Sequence, residues 1–87
     1  MESFFVISDV VGDEDLKFVT GYWTGRKLVP EIVEAKRYLS VSDAEIDLRS
    51  GSFYDPAVHE VEEKEGGALE KTRFFDMVNK YGAAGSK

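Results

Sequence analysis

"ALEKTRFFDMVNKYG", residues 68–82, is the stretch whose reading closes the fold. Phe74, Met77, Val78 and Tyr81 stand at i, i+3, i+4 and i+7, the spacing that lines one face of a helix, and Gly82 supplies a stop. The spacing predicts a helix over 68–82. The breaker "KEGG" (64–67) separates it from "AVHEVEE" (57–63), which reads as a strand. Before that, "LSVSDAEIDLRSG" (39–51) carries helix punctuation. Ser42 with Glu45 three residues on makes a capping box, Val41 and Ile46 occupy the staple positions, and Gly51 ends the run. A short helix over 43–50 is expected, followed by a turn at "SFYDP" (52–56).

The N-terminal third reads as a hairpin. "SFFVISDVV" (3–11) and "LKFVTGYW" (16–23) are β-branched and aromatic, and "GDED" (12–15) is turn chemistry between them. In the second strand Leu16, Phe18, Thr20 and Tyr22 share one face while Lys17, Val19, Gly21 and Trp23 share the other. Aromatics on both faces fit a central strand, or one face kept for a partner. After a loop at "TGRK" (24–27), "LVPEIVEAKRYL" (28–39) is divided. Pro30 with Glu31 suits a helical turn, while Tyr38 and its neighbours suit a short third strand near 34–39. The order is β-β-β-α-β-α: an α+β fold with an antiparallel sheet of about four strands and two helices packed on it. One domain over 1–82 is expected, with a frayed tail at 83–87.

Composition bounds the function. With 87 residues, 43% hydrophobic content and 11 aromatics, the chain suffices for one core and is too apolar for disorder. The absence of cysteine removes disulfides, thiolate metal sites and cysteine nucleophiles. No apolar run approaches the roughly 20 residues that span a bilayer. "MESFF" has an acid where a signal peptide needs a base, so a cytoplasmic protein is expected. The net charge of −6 is blocked along the chain: residues 1–15 and 40–65 are acidic, and 16–39 and 66–87 are basic. An acidic surface repels phosphates, so direct binding to nucleic acid or membrane is not expected.

Candidate chemistry centres on "VHEVEEKEGG" (58–67), which holds His59 and four glutamates. A zinc site needs converging His or Cys ligands, and the position four residues past His59 is Glu63. Calcium-type spacing is missing from "DEDLKF" (13–18). No metal or cofactor is expected. Paired-carboxylate hydrolysis has little weight among 17 acids, and no nucleophile–base pair is visible beside Ser42 or His59. The plain reading of the glutamates is an edge strand kept soluble. The sharper reading joins Glu60, Glu62 and Glu63 with Asp43, Asp47 and Asp55 into an acidic face complementary to a basic groove. A second candidate contact is Tyr22, Trp23 and Arg26, residue types enriched at interface hot spots, with Trp23 weighed against a place in the core.

The layout "FVI…KFVTGYW…EAKRYLSVSDAE…VHEVEE", over about residues 4–63, resembles small accessory proteins encoded by bacteriophages. The resemblance implies a host-takeover or anti-defence role of the anti-CRISPR type, in which a small protein binds and inhibits host machinery. The expected function is a non-enzymatic, acidic protein-binding module, an inhibitor that occupies the basic nucleic-acid-binding surface of a host protein. The alternatives are a self-assembling structural subunit forming a homo-oligomer through the hairpin, and a small acid–base hydrolase using His59 and nearby glutamates.

Overall fold

The computed structural model describes residues 2–12 and 18–85, with the side chains at 11, 12, 18, 19 and 85 left aside. Five strands, β1 (Ser3–Gly12), β2 (Phe18–Trp23), β3 (Leu28–Val29), β4 (Ala57–Glu63) and β5 (Leu69–Asp76), form one antiparallel sheet in the order β3-β2-β1-β4-β5. Helix α1 (Val41–Ser50) packs on the sheet, and α2 (Val78–Tyr81) is a single turn after β5. The fold is α+β, with one strand more than expected. No helix among the described residues is long and apolar enough to cross a membrane.

The alternation of β1 builds both cores. Phe5 and Ile7 point to the α1 side, where Ile7, Tyr38, Ala44, Leu48, Phe53, Val58 and Met77 form a buried cluster. Phe4 and Val6 point to the opposite side, where they meet Tyr22, Ala35 and Val61. Fully burying a side chain such as Leu48 is worth about 1.5–3 kcal/mol, so the α1 face carries much of the apolar stabilisation. Ile32, in a 3-10 turn over Ile32–Glu34, packs on the second cluster.

Two expectations are corrected. The helix over 68–82 is instead β5 followed by α2. Gly66 and Gly67 adopt φ of 81° and 85°, a conformation that favours glycine, and they reverse the chain into a β4–β5 hairpin. Phe74 is 63% exposed, while Met77 is buried, so the four apolar positions do not share one helical face. The third strand lies at β3, not at 34–39. Only Tyr38 pairs there, exchanging both backbone hydrogen bonds with Phe5 at 2.8 Å in the row that β2 vacates. Residues 83–85 form a 3-10 turn, in which the Ala83 and Ala84 amides donate to the Phe53 and Tyr54 carbonyls. The expected turn at 12–15 lies, past Gly12, outside the described residues, as do Leu16 and Lys17.

The cap of α1 is also displaced. Ser40, with extended φ and ψ of −154° and 166°, is the N-cap, and its hydroxyl accepts from the Asp43 amide at 3.1 Å. Ser42 lies inside the first turn, and Glu45 accepts from the Tyr81 hydroxyl at 2.9 Å instead of closing a box. Gly51 ends the helix as expected, in extended backbone. Replacing Ser40 by alanine is expected to cost about 1 kcal/mol in chemical denaturation. Ser42→Ala is expected to stay within about 0.5 kcal/mol of wild type. The reverse ranking would return the cap to Ser42.

Candidate binding surface

Strand β4 places Glu60 and Glu62 on the α1 side and His59, Val61 and Glu63 on the other. Most of the acids of this region meet a base. Glu60 pairs with Arg73 at 3.7 Å, Glu62 with Lys64 at 2.7 Å, Glu63 with Arg37 at 3.6 Å and Asp47 with Lys36 at 2.9 Å. Three of these bases also lie over an aromatic ring: Arg73 over Phe75 at 4.9 Å, Arg37 over Phe4 at 4.1 Å and Lys36 over Tyr38 at 5.2 Å. The repeating unit is thus ring, base, acid, with the ring in or beside a core. Asp43 and Asp55 are exposed and carry no such pair among the described residues.

Asp47 is the most elaborated of these acids. Lys36 donates to its Oδ2 at 2.9 Å and the Tyr38 hydroxyl donates to the same oxygen at 2.5 Å. The ammonium first, and then the phenol, hold the Asp47 carboxyl below its usual range. Burial and the neighbouring Asp47 push the Tyr38 phenol upward, so it stays a donor. Glu62, first among its causes, raises Lys64 in the same way.

The hairpin residues separate. Trp23 packs into the α1-side cluster and meets Phe53 edge-on, with centroids 5.3 Å apart. Tyr22 is buried on the opposite face and accepts from Lys71 Nζ at 2.9 Å. Arg26 is exposed in a turn that Thr24 closes by accepting from the Arg26 and Lys27 amides. The three therefore do not form one surface.

A surface feature that sequence reading missed lies where the Tyr38 row ends. The chain turns into α1 at Ser40, so the flank of β1 at Ser3 has no neighbouring strand among the described residues. A groove of about 460 Å³ opens there, lined by Glu2, Ser3, Phe4, Arg37, Tyr38 and Leu39. Leu39 is 88% exposed. As the residue before the N-cap it stands at a staple position, but its counterpart on the first turn is the small, fully buried Ala44.

His59 has a hydroxyl partner that no sequence spacing could show. Ser8 Oγ lies 2.7 Å from His59 Nε2, between residues 51 apart in the chain, so the expectation of no hydroxyl–imidazole pair is corrected. Ser8 is 5% exposed, and no carboxylate contacts the ring among the described residues. No group of three or more His, Asp or Glu side chains able to hold a metal is found among those residues either. The Phe74 ring lies 5.4 Å from the imidazole. Burial first, then the Lys71 charge, push His59 down to about 4.

This shift has a sign. The folded pKa lies below the unfolded value of 6.5, so the unfolded chain takes the proton first as pH falls. The stability of neutral, packed His59 is complete above 6.5 and is lost progressively down to about 4. Wild-type Tm is expected to drop between pH 7 and 5, above the range of unperturbed carboxylates. A His59→Gln variant is expected to lose most of that slope. An equal slope in both proteins would show that other groups set it.

No protein-family model, no curated protein and no solved structure matches the chain.

Proposed function

We propose that the protein is a small protein-binding module, an inhibitor of the phage type, that acts by occupying a partner's surface and performs no chemistry of its own. The supporting observation is Leu39, an almost fully exposed apolar side chain beside a groove that contains aromatic, cationic and anionic groups. An apolar anchor with a polar rim is the arrangement that carries affinity at protein interfaces. The ion pairs on Glu60, Glu62, Glu63 and Asp47 leave little acidic surface for direct contact. The net charge of −6, with Asp43 and Asp55 exposed, then steers the approach of a basic partner such as a host nucleic-acid-binding protein, while apolar contact holds it.

Division of labour between steering and holding gives the test. A partner captured from bacterial lysate by the wild-type protein is purified, and its binding kinetics are measured at low and high salt. Leu39→Asp is expected to speed dissociation by about tenfold or more with the association rate little changed, since buried anchors act on the off-rate. Salt is expected to slow association. Equal dissociation from Leu39→Asp and wild type would remove the groove from the interface. Self-association in light scattering with no captured partner would favour a structural subunit. Hydrolytic turnover lost in His59→Ala with the fold intact would favour the enzyme.

A further inference from the structure

A groove of about 560 Å³ lies at the other end of α1, between its last turn and α2. Buried Leu48 and Phe53 are among its lining residues, Ser52 and Asn79 add polar groups, and exposed Arg49 and Lys80 come from the two helices. No acidic side chain lines it. We propose that this groove binds an extended acidic peptide segment of a partner protein, with an Asp or Glu side chain between Arg49 and Lys80 and an adjoining aliphatic side chain over Leu48 and Phe53. This site is separate from the Leu39 groove and does not depend on it.

Charge is the first argument. Lys36, Arg37, Lys64 and Arg73 each have an acid within reach, and Lys71 donates to Tyr22. Arg49 and Lys80 have no ion pair or hydrogen bond through their side chains among the described residues, yet both line the same cavity. Two unpaired cations in a groove whose lining includes Leu48 and Phe53 form a site for a carboxylate with an aliphatic neighbour.

The second argument selects a peptide over a free anion. The groove adjoins the C-terminal end of α1, where the Gly51 amide and the Ser50 hydroxyl serve the Asp47 and Ile46 carbonyls. The carbonyls that follow, at residues 48–50, have no donor within the helix. That end of a helix carries negative partial charge and disfavours a bare anion. An acidic peptide brings a carboxylate for the cations and backbone N–H groups for the carbonyls.

The full chain, labelled with ¹⁵N, would be titrated with acetyl-Leu-Asp-Glu-Leu-amide, with acetyl-Leu-Asn-Gln-Leu-amide, and with inorganic phosphate at matched ionic strength. The acidic peptide is expected to shift amides at 48–53 and 79–83, with the neutral peptide weaker by about tenfold or more, as for loss of a charged contact. Arg49→Gln/Lys80→Gln is expected to abolish that preference. Arg49→Glu/Lys80→Glu is expected to prefer acetyl-Leu-Lys-Lys-Leu-amide, with folding of both variants checked by circular dichroism. No shifts at 48–53 and 79–83, the same shifts from phosphate at equal concentration, equal binding of the neutral peptide, or an acidic preference surviving either double substitution would each overturn the proposal.

Discussion

Strand β1 is apolar on both faces, and the rest of the structure answers that constraint. Val6 and Ile7, neighbours that point in opposite directions, are both fully buried. Among the described residues α1 is the one full helix, and it covers the Ile7 side. No second helix among the described residues covers the Val6 side. It is closed by a 3-10 turn carrying Ile32 and by Leu69, with the Arg37 guanidinium and the Lys71 ammonium set over the Phe4 and Tyr22 rings. Such cations are drawn to the electron-rich face of a ring while staying open to water on their other side. The acids then follow: a base fixed on a ring is a fixed partner, and Glu63, Glu60 and Asp47 sit against such bases. Much of the acidity of β4 is thus the outer layer of the packing.

The two buried polar side chains of the sheet are satisfied in ways that tie distant parts of the chain together. Asp9, 4% exposed, accepts from the Tyr54 and Asp55 amides at 2.9 and 2.7 Å, and from the Val10 amide at 2.7 Å. It thereby fixes the turn that delivers β4 to its register on β1. Ser8 and His59 repeat the link one step away on the opposite face. A buried carboxylate is costly without such donors, so the 53–56 turn and β1 stabilise each other. Phe53, held by that turn, then contacts Trp23 from β2 and brackets Gly82 before the last 3-10 turn.

Local signals in the sequence were sufficient where one segment decides its own structure. The β1–β2 pairing, α1 with its glycine stop, and β4 all follow from alternation and punctuation. The stretch 68–82 misled because Phe74, Met77, Val78 and Tyr81 match a helical period that the fold does not use. The decisive signal was Gly66–Gly67 between two β-compatible runs, a hairpin mark. Without β5, the Glu60 and Glu62 side of β4 would be an open edge lacking Arg73, so tertiary pairing overrode local periodicity. The cap moved from Ser42 to Ser40 because both serines have an acid three residues on, and only backbone geometry separates them. Among the candidate site residues, the acids were legible as acids but their bases were not. Glu60 meets Arg73, and Glu63 meets Arg37, across distances that no spacing rule encodes.

Local and global charge therefore act on different scales in this molecule. The net charge of −6 sets the field a partner feels on approach, which fades over about 8 Å at physiological salt. Inside that distance the paired acids are offset by their bases, and what remains among the described residues is the unpaired Asp43 and Asp55 together with the cations and apolar groups the packing has not used. Arg37, Arg73 and Lys36 are committed to rings and acids, and Lys71 to Tyr22. Helix α1 separates two such places: Leu39 precedes its first turn and Arg49 belongs to its last. The helix that covers the Ile7 face thus also spaces the two surfaces, about 15 Å apart for ten residues at the usual helical rise. Leu39 and Arg49 stand at opposite ends of the element that covers the Ile7 core, so a substitution that loosens α1 would disturb both surfaces along with that core.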